Sequence, residues 1–166
     1  YHLLYHDAYG LKSVSLRLTN TFGPRQLMKH AGLCFVAWFM RLAMNGDTIN
    51  IFGDGSQKRD LNYVDDVVSA ILLVAADDTS YGNVFNVGSG VGITLKELTN
   101  LIITVAGTGS INFVPYPEER KAIETGDYVA DITKIKELGW SPQTKLKEGL
   151  ERTIRFYEKC KDNYWN

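Results

Sequence analysis

Runs with the two-residue alternation of strands recur along this chain between segments of helical periodicity. That alternation restricts the fold more than any other feature. Positions 13–18 (Ser-Val-Ser-Leu-Arg-Leu) and 83–87 (Asn-Val-Phe-Asn-Val) read as strands, with shorter strand readings at 48–52, 59–64 and 111–114. Helices are expected over 1–9, closed by Gly10, over 33–44, and from Asp65 or Asp66 to about 76. Others follow over 95–106 behind the capping box Thr94-Leu95-Lys96-Glu97, over 131–138 and over 146–161. Strands alternating with helices point to an α/β architecture with a parallel sheet. Only 13–18 and 84–87 are robust, too few for a doubly wound sheet. Tyr1 to His6 reads as the middle of an uncapped helix, so the expectation is a piece of a longer chain.

Composition narrows the function. The 166 residues are 45% hydrophobic and 22% charged, with 18 Lys+Arg against 19 Asp+Glu and a net charge of −1. A general nucleic-acid or acidic-membrane binder would need a basic excess. No apolar run approaches the roughly 20 residues of a membrane span. Cys34 and Cys160 make neither a ligand cluster nor a disulfide framework, and a reducing, cytoplasmic setting is expected.

The stretch 53–60 (Gly-Asp-Gly-Ser-Gln-Lys-Arg-Asp) sets a tight turn ahead of Arg59. An arginine there can fork onto a phosphate or diphosphate; a surface hairpin with solvated charges explains the same pattern. The loop 88–92 (Gly-Ser-Gly-Val-Gly) follows a strand and precedes a helix, as phosphate-cradling loops do, but Ile93 stands where the dinucleotide fingerprint needs its third glycine. A turn leading into a capped helix is the better reading. Tyr157 and Lys161 match a Tyr-x-x-x-Lys spacing within an amphipathic helix; Tyr157 is expected in the core or at its rim. His2 and His6 share a helix face without a third ligand. Asp65 and Asp66 read as helix caps.

Several segments together resemble the C-terminal half of an extended short-chain dehydrogenase/reductase, the NAD-dependent epimerase/dehydratase family acting on nucleotide sugars. They are 9–11, 16–26 (Leu-Arg-Leu-Thr-Asn-Thr-Phe-Gly-Pro-Arg-Gln), 51–67, 85–90, Gly126-Asp127, 131–134 and 138–142 (Leu-Gly-Trp-Ser-Pro). They keep the family's order across almost the whole chain. The resemblance implies an α/β fold: the C-terminal substrate-binding portion, plus the last two strands of the Rossmann sheet at 13–18 and 84–87. It divides the chain into 1–24 (end of the Rossmann domain), 25–64 (start of the substrate-binding domain), 65–92 (helix and strand returning to the sheet) and 93–166 (C-terminal substrate-binding domain).

It also implies the site. Asn20, Gly32, Leu33, Asn50, Phe52, Arg59 and Asp127 would hold a nucleoside-diphosphate sugar. Asn50 and Phe52 would line the base pocket, and Arg59 would take the diphosphate. Leu18 and Thr19 would pass near the nicotinamide of NAD. The catalytic Tyr-x-x-x-Lys and the NAD glycine motif would lie upstream of Tyr1, which is not itself the catalytic tyrosine; this stretch alone is expected to be inactive. Many relatives carry an arginine three residues before the aspartate, where this chain has Glu124; Arg120 or Lys121 would reach in instead. The implied parent is a 4-epimerase of the UDP-glucose type, with a 4,6-dehydratase or decarboxylase as alternatives and a non-catalytic nucleotide-sugar-binding module as the reading of another class. A homodimeric parent is expected, and self-association of this stretch through its unpaired sheet edge and apolar faces.

Overall fold

The computed structural model describes residues 1–29, 34–121 and 124–165. In chain order the elements are α1 (His2–Tyr9), β1 (Ser15–Leu18), β2 (Asn20–Phe22), α2 (Phe35–Asn45), β3 (Thr48–Phe52), β4 (Lys58–Tyr63), α3 (Val64–Ala76), β5 (Val84–Val87), β6 (Gly92–Thr94), α4 (Leu95–Ala106), β7 (Ser110–Val114), α5 (Glu118–Lys121), α6 (Thr133–Glu137), α7 (Leu146–Cys160) and α8 (Asp162–Trp165). The described strands form three small sheets. β1 and β5 are parallel with Leu16 opposite Phe85; β2–β4–β6 places β4 parallel to β2 and antiparallel to β6; β3 and β7 are parallel with Asn50 opposite Asn112.

Two cores follow from this arrangement. The larger packs the apolar stripes of α2 (Val36, Phe39, Met40), α4 (Leu98, Ile102) and α7 (Leu150, Ile154, Tyr157) against Phe22, Ile49, Ile51 and Leu61 of the strands. A helix with its apolar residues three and four apart can bury only one stripe, so three such helices share the space between the sheets. The smaller core sets Ala70 and Val74 of α3, with Ile135 and Trp140, on Phe85 and Val87 of β5. The chain passes from one core to the other at Thr19. Its amide donates to the Val87 carbonyl, continuing the β1–β5 ladder, while the next residue, Asn20, already pairs with Leu61 of β4.

Local signals mostly hold. Gly10 closes α1 in the left-handed conformation, and Thr94 and Glu97 complete both bonds of the capping box. Two strands, β2 and β6, stand where the sequence reads as loop: each spans three residues, too few to show alternation. Asp65 and Asp66 are not caps: Tyr63 holds the N-cap position, and among the described residues no side chain caps α3. Asp66 is buried and instead accepts the amides of Gln143 and Thr144, while its carbonyl receives the Trp140 indole N–H. The carboxylate therefore fastens the segment after Trp140 to α3.

Candidate functional site

A cavity of about 580 Å³ opens between α2, β3, the start of β4 and the segment that follows β7. Its apolar wall is Phe35, Trp38, Phe39 and Leu42 from α2; Asn50 and Phe52 come from β3, and Gln57, Arg59, Tyr116 and Glu124 close the polar end. Such a mixture, an aromatic wall with few convergent polar groups, suits a flat ring attached to a charged tail.

The polar end is built by a tight turn. Gly53 (φ 71°) and Gly55 (φ 72°) reverse the chain between β3 and β4, and Asp54 accepts both the amide and the hydroxyl of Ser56 across the turn. A Cβ on Gly53 would come within 2.9 Å of the Tyr116 ring, so glycine lets that ring lie over the turn. Tyr116 then sits 5.8 Å from Phe52, centroid to centroid. The Gln57 amide donates to the Tyr116 hydroxyl at 2.6 Å, and that hydroxyl donates to Glu124 Oε2 at 3.1 Å. Arg59 donates through Nη2 to Glu124 Oε1 at 2.5 Å and through Nη1 to the carbonyls of Gly126 and Lys58.

Titration follows this geometry. Burial and the hydrogen-bonded Glu124 carboxylate push the Tyr116 hydroxyl above the usual phenol range. Burial alone would raise Glu124, but its bonds to Arg59, Tyr116 and the Gly126 amide, with the guanidinium charge, outweigh it and hold the carboxyl below the usual range. Glu124 is thus an ionised partner of Arg59.

Of the residues expected from sequence, Asn50, Phe52 and Arg59 meet at the cavity. The others stand elsewhere. Asn20 donates to the Asp60 carbonyl. Asp127 accepts the Lys58 amide at 2.8 Å and so holds its loop against β4. Leu18 is exposed at the end of β1, and Thr19 Oγ1 is buried without a hydrogen-bond partner among the described residues. Gly32 and Leu33, and the side chains of Arg120 and Lys121, lie outside the described residues. Sequence reasoning passed over Gln57, Tyr116 and the aromatic face of α2. Pro115 and Pro117, which flank Tyr116 and favour an extended path, were the available signal.

The loop 88–92 cradles an anion, but an internal one. Asp60, fully buried, accepts the amide and hydroxyl of Ser89 on one oxygen and the amides of Gly90 and Ala130 on the other. A Cβ on Gly88 would lie 2.5 Å from that carboxylate. The donors are spent, which removes this loop as a phosphate site. Tyr157 is equally occupied. Burial pushes its hydroxyl up to about 12, and it donates to the Gln26 carbonyl at 2.6 Å, so the pairing with Lys161 is a coincidence of spacing. His6 bonds the Leu11 carbonyl through Nδ1, and the described residues contain no group of three or more His, Cys, Asp or Glu able to hold a metal. No described helix is long and apolar enough to cross a membrane.

Residues 1–88 match the model of the NAD dependent epimerase/dehydratase family. The chain belongs to that family. Its α/β fold with parallel strands is the fold of these enzymes. It is 34% identical over 153 residues to the low-salt glycan biosynthesis protein Agl12 of Haloferax volcanii, covering 92% of this chain and 47% of that protein. A crystal structure of UDP-glucose 4-epimerase from Thermotoga maritima with UDP-glucose superposes with a TM-score of 0.85 at 36% identity, covering 95% of this chain and 49% of the epimerase. A dTDP-glucose 4,6-dehydratase from Bacillus anthracis in complex with NAD gives a TM-score of 0.82 at 28% identity, covering 99% and 50%. The chain therefore spans about half the length of the family members it matches. Epimerases and dehydratases stand side by side among these relatives.

Proposed function

We propose that the cavity beside α2 holds a nucleoside-diphosphate sugar and that the chain is the substrate-binding half of a nucleotide-sugar enzyme. The observation that carries this reading is the convergence of Asn50, Phe52 and Arg59 on one cavity with an aromatic wall. A base fits beside Phe52 with the Asn50 amide at its edge. A diphosphate then reaches Arg59, whose guanidinium offers charge-assisted hydrogen bonds. Asn20, Gly32, Leu33 and Asp127 are assigned to the sugar and diphosphate side of the same ligand on the resemblance alone.

Leu18 and Thr19 face the position of NAD in this reading. The exposed leucine and the unpartnered buried hydroxyl of Thr19 are what a flat group laid across the end of β1 would meet, so these residues fit the cofactor. NAD, when bound, supplies the hydride acceptor and donor for oxidation and reduction at the sugar. What these residues contribute is orientation of the substrate. We assign the parent reaction to 4-epimerisation, in a homodimeric, cytoplasmic enzyme, and expect no turnover from these 166 residues alone. The non-catalytic module is the alternative: a stand-alone binding module that captures the nucleotide sugar without chemistry.

Calorimetric titration of the chain with UDP-glucose tests the reading. Saturable binding is expected, and Arg59→Ala weakens it by about 1.5–3 kcal/mol, the scale of a hydrogen bond to a charged group. Equal affinity of the two chains contradicts it.

A further inference from the structure

Three donors converge on one small volume at the polar end of the cavity. They are Arg59 Nη2, the Tyr116 hydroxyl and the Gly126 amide, and the Glu124 carboxylate takes all of them, at 2.5, 3.1 and 3.1 Å. Because the Gln57 amide donates to the Tyr116 oxygen, the tyrosine's own proton is directed at Glu124. A guanidinium edge and a backbone amide on one oxygen, with a hydroxyl on the other, are donors that suit two oxygens of a phosphate group. Glu124 reaches this point from the segment after β7, whereas Arg59 is fixed on β4 by two further bonds to the Lys58 and Gly126 carbonyls. Gly126 shares the segment of Glu124, but that segment is fastened to β4 at Lys58, whose amide donates to Asp127 and whose carbonyl accepts the Tyr128 amide, so the anchors of the cradle do not include the carboxylate that fills it.

We propose that Glu124 is an internal, displaceable anion that competes with the ligand's diphosphate for this three-donor cradle, and so sets how tightly the cavity takes its ligand. The inference rests on the reading of Arg59 as the diphosphate contact. A phosphate oxygen entering the cradle expels the carboxylate, which turns outward to solvent; the Glu124 side chain is already about a quarter exposed, so the outward path is open. Binding thus exchanges one ion pair for another, and the net gain from the guanidinium is smaller than from an unoccupied arginine. The effect is specific to anions: an uncharged ligand occupying only the base end feels none of it.

Titrations of the full chain with UDP-glucose and with uridine separate the possibilities. If Glu124 competes, Glu124→Ala binds UDP-glucose about tenfold more tightly than the native chain. Glu124→Gln, which keeps the shape and loses the charge, falls between the two. Uridine affinity stays the same in all three. If Glu124 instead only braces the loop, both substitutions leave UDP-glucose affinity unchanged or weaken it, and the inference is overturned. Thermal melts of the variants show whether a weakened affinity reflects a loosened loop, which counts for bracing. Arg59→Ala separates this inference from the reading beneath it. When Arg59→Ala weakens UDP-glucose binding but Glu124→Ala does not tighten it, only the competition fails. When Arg59→Ala leaves binding unchanged, or no chain binds UDP-glucose, the diphosphate reading fails and the competition with it.

Discussion

Asp60 shows how one side chain can decide the shape of a neighbourhood. Its two carboxylate oxygens collect four donors from two separate segments, Ser89–Gly90 and Ala130, in full burial. Replacing it by asparagine keeps an acceptor on one side and turns an N–H toward the amides of Gly90 and Ala130 on the other. Two amides then lose their acceptor, and Asp60→Asn should lower stability by about 2–4 kcal/mol, read from the urea midpoint. A change below about 0.5 kcal/mol would show that water replaces the carboxylate freely. Asp60 was visible in the sequence only as the end of a basic-turn motif, because its partners lie 29 to 70 positions away. Arg59, its neighbour, which lines the cavity, was read from the sequence as a diphosphate contact. Its pairing with Glu124 was not, since a carboxylate 65 residues downstream carries no local signal.

At the scale of elements, α3 is the most informative. It buries Val67, Ala70 and Val74 on one side, yet Val68, Ile71 and Leu72 remain exposed on the other, Leu72 by 64%. A surface helix ordinarily keeps one face polar. β1 adds to this with Leu18 exposed by 44%, and the described residues place only β5 beside it. Apolar helix faces and open strand edges of this kind drive association. Sedimentation of the 18.6 kDa chain should show a weight-average mass that rises with concentration, and Leu72→Lys should reduce it. A constant monomer mass for the native chain contradicts this. The longer elements were readable from sequence because period and caps agree: α4 has its capping box, α2 its closing glycine, β3 its alternation. β2 and β6 were not, since strands of three residues are defined by their partners rather than by their own pattern.

Across the whole molecule, two cores meet where β1 runs into β2, and the apolar wall of the cavity belongs to the larger one. Its wall comes from α2 and its polar end from a turn and a loop separated by more than sixty positions, so only the packed fold assembles it. Of the three tryptophans, Trp38 lines the cavity and reports directly on its contents, Trp140 lies buried in the other core, and Trp165 packs against the larger core outside the cavity lining. The decisive measurement is tryptophan fluorescence during titration with UDP-glucose, in the native chain and in Trp38→Phe. A nucleotide base in the cavity predicts saturable quenching in the native chain that disappears in Trp38→Phe while calorimetric binding persists. Quenching that survives in Trp38→Phe, or calorimetric binding with no change at Trp38, would place the ligand elsewhere and contradict the assignment of this cavity.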